Sequence, residues 1–218
     1  MTSPQPAFAR PERIVLDGRY ARLEPTNLGH LDGLWAASSE ADGPERYRYL
    51  FSEAPRSRDE LAARIEANMK LDDPLYYAVI DMATGRAEGQ QALMRITPAD
   101  GVIEVGGIFW GPRLARTRVA TEALYLHARY VFETLGNRRF EWKCNNRNEP
   151  SKRAAERFGF SLEGVFRQHM IVKGENRDTA WFSMLDSEWP SRKAGFDAWL
   201  DPENFDAAGN QRTRLSFR

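Results

Sequence analysis

The side chains best able to do chemistry gather in one stretch, Val102 to Phe160. Glu104 sits in an apolar run, V-I-E-V-G-G-I-F-W-G, that reads as a strand. Arg113, Arg116 and Arg118 follow, around Thr117, which has the side chain of a helix N-cap. Leu124, Ala128, Val131 and Leu135 then recur at spacings of four, three and four, one buried face of a helix that Gly136 ends. A strand that feeds a helix N-terminus makes an anion site. The first helical N–H groups lack internal partners, and the helix dipole adds about half a positive charge. The arginines add to that field, although a solvated loop is the plainer reading of them. The chemistry to expect is capture of a phosphate-like group.

Other reactive side chains point nowhere so specific. His30, His127 and His169 are scattered without metal-ligand spacing, so no metal is expected. His127, on the core side of its helix, reads as a packed histidine. Cys144 is the one cysteine, on a strand where Phe140, Trp142 and Cys144 alternate with Arg139, Glu141 and Lys143. It reads as a buried small residue rather than a catalytic thiol, and it excludes an intrachain disulfide.

The elements that must position these residues follow from period and turn chemistry. Two short strands, Arg13 to Leu16 and Arg19 to Glu24, flank the hairpin signal Asp17-Gly18. Thr26 is placed to cap a helix reaching Ala37. Residues 40–58 read as an irregular or partly helical loop whose Tyr47, Tyr49 and Phe51, beside arginines, either line a substrate mouth or pack the loop down. Ser57 caps a helix from Arg58 to about Leu71, with Glu60 completing a capping box. Strands are expected at Leu75 to Met82, Gly89 to Ile96, Val165 to Val172 and Thr179 to Leu185, and a further helix from Pro190 to about Leu200. The fold class is α/β (α+β), with a mixed, mainly antiparallel central sheet flanked by helices. The expected organisation is a flexible segment over 1–12, one domain over 13–189, and a C-terminal helix and polar tail over 190–218 packed on it.

Acidic and basic residues balance at 31 each, which gives no electrostatic argument for nucleic acid or an anionic membrane. The start lacks a secretory signal pattern, and no apolar run approaches the ~20 residues that span a bilayer. The expectation is a soluble cytoplasmic protein.

The ordered pieces A-T-E-A at Ala120 to Ala123, N-x-x-S at Asn148 to Ser151, G-F at Gly159, E-G-x-x-R at Glu163 to Arg167 and R-D at Arg177 carry a resemblance. Over residues 14–189 the chain resembles the GNAT acetyltransferases, and within them is similar to the branch of the ribosomal-protein-alanine N-acetyltransferases. The resemblance implies a GNAT-like fold and transfer of an acetyl group from acetyl-CoA, as co-substrate, to a primary amine. That amine is a protein N-terminus or a small molecule, attacking directly in a ternary complex. It implies a carrier site at Ile108, Phe109, Trp110, Arg113, Arg116, Thr117, Arg118, Val119, Ala120, Thr121, Asn148 and Ser151. The family's phosphate loop, Gln/Arg-x-x-Gly-x-Gly/Ala, falls here on Ala115, Arg118 and Ala120. Glu104 matches a recurring general-base position, and backbone N–H groups at Gly107 to Phe109 would meet the oxyanion. Many relatives use a tyrosine for the leaving thiolate; here Phe158 stands near that place, and Ser151 is the hydroxyl available. Tyr47, Tyr49 and His169 are the expected acceptor contacts. Arg177-Asp178 reads as a structural salt bridge. Two other readings stay open: a catalytically degenerate GNAT domain serving as a CoA-binding or interaction module, and a plain α/β binding protein. A homodimer is compatible with all of them.

Overall fold

The computed structural model describes residues 8–40 and 42–217. Eight strands form one sheet in the order β1-β2-β3-β4-β5-β6-β8-β7. They are β1 (Leu16–Asp17), β2 (Ala21–Pro25), β3 (Leu75–Asp81), β4 (Arg86–Thr97), β5 (Val102–Trp110), β6 (Arg139–Asn145), β7 (Ser161–Val172) and β8 (Glu175–Leu185). Every neighbouring pair is antiparallel except β5 and β6, which run parallel. The mixed, mainly antiparallel sheet is the one expected. Parallel neighbours need a crossover, and α4 (Arg118–Arg129) supplies it.

The two sheet faces are covered differently. On one, α4 lays Ala123, Leu124 and Ala128 against Ile103, Val105, Phe140, Phe182 and Met184 in the main core. A π turn, Tyr130–Thr134, extends this helix and adds Val131 to the same core. On the other, α1 (Leu31–Ser38) and α3 (Arg58–Asn68) bury Leu31, Leu34, Leu61 and Ile65 over Ala78, Ile80 and Ala87 of β3 and β4. The four-residue α2 (Gly43–Arg46) lies between them in the chain, within the stretch expected to be irregular or partly helical. Then α5 (Glu149–Arg157) and α6 (Trp189–Leu200) complete the first layer. The α6 aromatics join it to the core: Trp189 stacks on Phe132 at 5.2 Å and Phe196 lies 5.4 Å from Tyr125. No described helix is long and apolar enough to cross a membrane.

Four local expectations change. The Asp17-Gly18 hairpin is wider than a two-residue turn, because Leu16 pairs with Leu23 and Asp17 with Arg22. The reason is Glu122, whose carboxylate accepts the N–H groups of Arg19, Tyr20 and Ala21 at 3.0, 2.5 and 2.6 Å and so replaces sheet pairing there. Asn27, not Thr26, caps the next helical turn; Thr26 follows directly on β2, its N–H donating to the Tyr76 carbonyl. The strands β4, β7 and β8 outrun their apolar patterns, because backbone pairing with a neighbour sets a strand's ends. Finally, of the segment expected to be flexible, residues 1–7 lie outside the described residues, while the rest is tied down. Phe8 donates to the Pro98 carbonyl, and Glu12 bonds both Tyr130 and Tyr77 hydroxyls.

Candidate active site

The parallel pair is the key to the site. β5 pairs with β6 from Val102↔Arg139 to Val105↔Trp142 and no further. Beyond that point β5 follows β4 to Trp110, and β6 follows β8 to Asn145. Two strands that keep separate partners part company, and a notch opens between them. At its mouth β5 bulges. Gly106 pairs with Ala92 and Phe109 with Gln90, so Gly107 and Ile108 face Gln91 alone. Gly107 has φ +56°, and a Cβ there would meet the Tyr76 ring at 2.9 Å. Only glycine fits both demands. The bulge takes backbone N–H groups out of the ladder, as an oxyanion site requires.

Glu104 lies next to this bulge; a Cβ on Gly106 would sit 3.3 Å from its Oε1. The side chain is 2 % exposed, and its oxygens meet Arg95 Nη1 at 2.7 and 2.8 Å. Lys143 Nζ reaches Oε2 at 2.9 Å and Glu141 at 2.6 Å. Arg139 continues the chain, pairing with Glu141 at 2.7 Å and bidentately with Glu163. Glu163, held by Arg139 and Ser183, has its pKa drawn down to about 2. Burial of so many charges works because each has an opposite neighbour.

The second part of the site is a cleft of about 1080 Å³ that runs from Trp110 at the end of β5 along the N-terminus of α4. Thr117 caps that helix, accepting from Ala120 N. Arg19, Arg116, Arg118, Arg153 and Arg157 line the cleft against one acid, Asp81. Arg157 donates to Thr121 Oγ1 at 3.1 Å and lies over the Phe158 and Trp199 rings; burial weakens its hold on its proton. The chain beyond α6 also contributes, with Phe205 and Ala208 to Gln211 on the wall.

Left-handed backbone in the loop falls on Arg116, at φ +66°. That is the conformation a phosphate-loop glycine would favour. The motif therefore fits best two residues from its expected register, with Arg113, Arg116 and Arg118 in place of Ala115, Arg118 and Ala120. Arg118 is the first helical residue and needs no glycine. Its guanidinium neither fills the loop nor blocks it, but packs over Tyr20 at 4.4 Å and Phe205 at 5.2 Å.

Of the expected carrier residues, Trp110, Arg116, Thr117, Arg118, Val119, Ala120 and Thr121 come together on the cleft. Arg113 turns away, toward Glu40 and Glu88. Ile108 packs on the core, and Phe109 is buried under Tyr47 at 4.6 Å. Asn148 caps α5 by accepting from Ser151 N, and Ser151 Oγ accepts from Trp142 Nε1 at 3.0 Å. Among the expected acceptor contacts, Tyr47 corrects the reading: its ring is 3 % exposed and burial raises its pKa to about 12, so it packs the loop down. Tyr49 lies half-buried, its hydroxyl bonded to the Arg147 carbonyl. His169 bonds Thr179 Oγ1 beside Phe166 and Trp181. Cys144 is buried, with its pKa raised by desolvation, which makes it a poor nucleophile.

Sequence reasoning missed Tyr76, Arg153, Arg157, Arg95 and Lys143. Tyr76 has no motif; it reaches the Gly107 bulge from β3, across Ala92 of β4. Burial raises its pKa, so it stays a hydroxyl donor at neutral pH.

His127 is fully buried as expected and is a pH-sensitive element. Gln91 Nε2 donates to Ala123 O, and at 3.0 Å faces His127 Nδ1, while Gln91 Oε1 accepts from Trp110 Nε1 on the cleft. This arrangement leaves the imidazole proton on Nε2, without a hydrogen-bond acceptor among the described residues. Desolvation lowers its pKa from 6.5 to about 3. A depressed histidine pKa means the unfolded chain binds the proton first, so stability is intact above pH 6.5 and falls below it. The expected slope from this residue is about 1.4 kcal/mol per pH unit down to about pH 3. Urea titrations from pH 7 to 4 check it; a His127→Gln protein with an unchanged slope would refute the assignment.

A sheet split between parallel strands, with an arginine-lined helix N-terminus at the opening, is the layout that the resemblance to an acetyltransferase family implies. Comparison with known proteins agrees. The family model described as Acetyltransferase (GNAT) domain matches residues 21–161. A GCN5-related N-acetyltransferase from Brucella melitensis shares 57% identity over 96% of this chain and 95% of its own, with a TM-score of 0.94. A probable acetyltransferase of the GNAT family from Chromobacterium violaceum is 33% identical over 87% of this chain and 95% of its own, with a TM-score of 0.80. An acetyl transferase of Salmonella typhimurium that modifies the N-terminal serine of ribosomal protein L7/L12 is 18% identical over 79% of this chain and 99% of its own, TM-score 0.68, a likeness of fold alone. A search of curated proteins found no match. The chain belongs to the GNAT acetyltransferase family and is a GNAT-type N-acetyltransferase.

Proposed function

We propose that this enzyme moves an acetyl group from acetyl-CoA to a primary amine by direct attack in a ternary complex. The observation that carries the reading is the continuity of cleft and notch: the arginine-lined cleft begins at Trp110, the far end of the strand that holds Glu104. CoA bears a pyrophosphate and a further phosphate, and five arginines beside a helix N-terminus match that charge. Trp110, Phe158 and Trp199 offer apolar surface to the rest of the carrier. The residues present therefore fit the co-substrate.

The chain's own groups then divide the work. Arg116, Arg153 and Arg157, with the first N–H groups of α4, hold phosphate. Backbone N–H groups at the Gly107 bulge stabilise the oxyanion. Glu104 takes the proton of the attacking ammonium, directly or through water. The carbon–nitrogen bond forms first, giving the tetrahedral oxyanion; its collapse breaks the carbon–sulfur bond, and the thiolate takes up the second amine proton, relayed by the hydroxyl of Tyr76 or Ser151, to leave as the thiol. The ion pairs around Glu104 favour a second role, in which it fixes Arg95 and Lys143 at the notch and the amine arrives already neutral. A cytoplasmic setting suits the lone buried Cys144, and α6 with the tail belongs to the same catalytic unit because it walls the cleft.

Titration calorimetry and a thiol-release assay across an amine panel test the proposal. Acetyl-CoA at ~100 times its Kd is expected to add about 2.7 kcal/mol of stability, and binding should weaken as salt screens the arginines. No heat, and no change in melting temperature at millimolar acetyl-CoA, would remove the reading.

A further inference from the structure

Arg177 of β8 is 5 % exposed, yet no carboxylate lies within ion-pair distance of it among the described residues. The expected bridge to Asp178 does not form. Asp178 instead accepts the Gln168 N–H at 2.7 Å and the Asn176 side-chain amide at 3.0 Å. Arg177 Nε donates to Thr179 Oγ1 at 3.2 Å, and the Phe51 ring covers the guanidinium at 4.8 Å. Burial and the field of Arg95 both oppose its charge, and Glu104 offsets them only from a distance. A buried cation without a counter-ion is unfavourable and persists where something else requires it.

The guanidinium lines a pocket of about 400 Å³ at the open end of the notch, where β6 ends at Asn145. The other charges there are matched. Arg48 pairs with Glu45 at 3.1 Å, Lys173 with Glu53 at 3.1 Å, and Arg147 with Glu175 at 4.0 Å. Arg177 is the cation left over. The Phe51 ring that covers it also lies 5.9 Å from the Arg95 guanidinium, and Arg95 holds Glu104. The unmatched charge therefore borders the carboxylate where an amine would be deprotonated.

We propose that Arg177 receives a carboxylate carried by the acceptor itself, so that the substrate class is small amines bearing a carboxylate a few bonds from the nitrogen. This rests on the acetyltransferase reading. The guanidinium fork suits a carboxylate bidentately, and only a substrate with that group completes the pocket's charge. Two sources offer it: the α-carboxylate of a free amino acid, or an acidic side chain at the N-terminus of a peptide.

The test compares glycine, glycinamide and the peptide Asp-Ala-amide as acceptors with acetyl-CoA, for the wild type, Arg177→Met and Arg177→Lys. The wild type is expected to prefer a carboxylate-bearing acceptor over glycinamide by at least about tenfold in kcat/KM. Preference for glycine or for the peptide identifies the source. Arg177→Met should abolish the preference through KM, leave glycinamide turnover unchanged, and melt no lower than the wild type, since an unpaired buried charge has gone. Arg177→Lys should keep a reduced preference. Equal use of charged and uncharged amines by the wild type, or equal losses on both in Arg177→Met, overturns the proposal. Saturation-transfer NMR with N-acetylglycine and N-acetylglycinamide in the presence of CoA separates it from the parent reading. Carboxylate-dependent binding lost in Arg177→Met supports the site even if no amine is turned over, and binding indifferent to the carboxylate refutes it.

Discussion

Glu104→Gln is expected to lower turnover by about 10²- to 10⁴-fold while leaving the acetyl-CoA dissociation constant nearly unchanged. The carboxylate lies at the bulge, not in the arginine-lined cleft, so carrier binding does not depend on it. A proton acceptor also predicts a particular pH profile. With glutamine in place, the rate should climb with pH toward the acceptor's own amine pKa, about 8 for an α-amine and 10 for an alkyl amine, because the neutral fraction grows. If Glu104 only fixes Arg95 and Lys143, the loss is the same at every pH. Stability should fall too, by about 2 kcal/mol. This is less than the 3 to 5 kcal/mol of a wholly stranded buried charge. Lys143 keeps Glu141 at 2.6 Å, and Arg95, 39 % exposed, can turn to water. Adding Lys143→Met should restore much of that stability and none of the turnover. A parallel rise in the acetyl-CoA constant, or full activity in the single variant, would remove Glu104 from the chemistry.

The second large effect lies outside the chemistry. Glu122→Ala is expected to destabilise the fold by about 3 to 5 kcal/mol, since three backbone N–H groups of the β1–β2 loop lose a charged acceptor at once. For a chain of this size that is roughly a 10 °C drop in melting temperature. Glu122→Gln, which keeps one oxygen acceptor, should lose about half as much. Acetyl-CoA binding should weaken as well, because Arg19 and Tyr20 stand on the cleft wall. The loop packs closely on this contact: a Cβ on Gly18 would meet the Glu122 carboxyl at 2.6 Å. An alanine variant melting within about 2 °C of the wild type would show that water replaces the carboxylate. The glutamate in A-T-E-A, which the sequence offers only as part of a motif, is a clamp between helix and hairpin.

That residue illustrates where local pattern stops being informative. The A-T-E-A piece marked Glu122 and had no means of naming the hairpin it grips, a hundred residues earlier in the chain. Arg95 and Lys143 are similar. Each reads as a polar position on a strand, and their meeting at Glu104 depends on β5 lying between β4 and β6. Tyr76 needed two further facts, its register opposite Ala92 and the absence of a side chain at Gly107. Arg177 was legible as a charge and illegible as an unpaired one, because its neighbour in sequence bonds elsewhere.

By itself the sequence determined what short-range physics controls: the alternation of β6, the Thr117 cap and the mixed sheet these imply. Those depend on period, capping and turn chemistry within a few residues of each position. Only the tertiary structure decided where β5 and β6 part, which arginines face the cleft, and which charges find partners. Such outcomes are set by register between strands and by the three-dimensional meeting of distant side chains, and neither leaves a period in the chain.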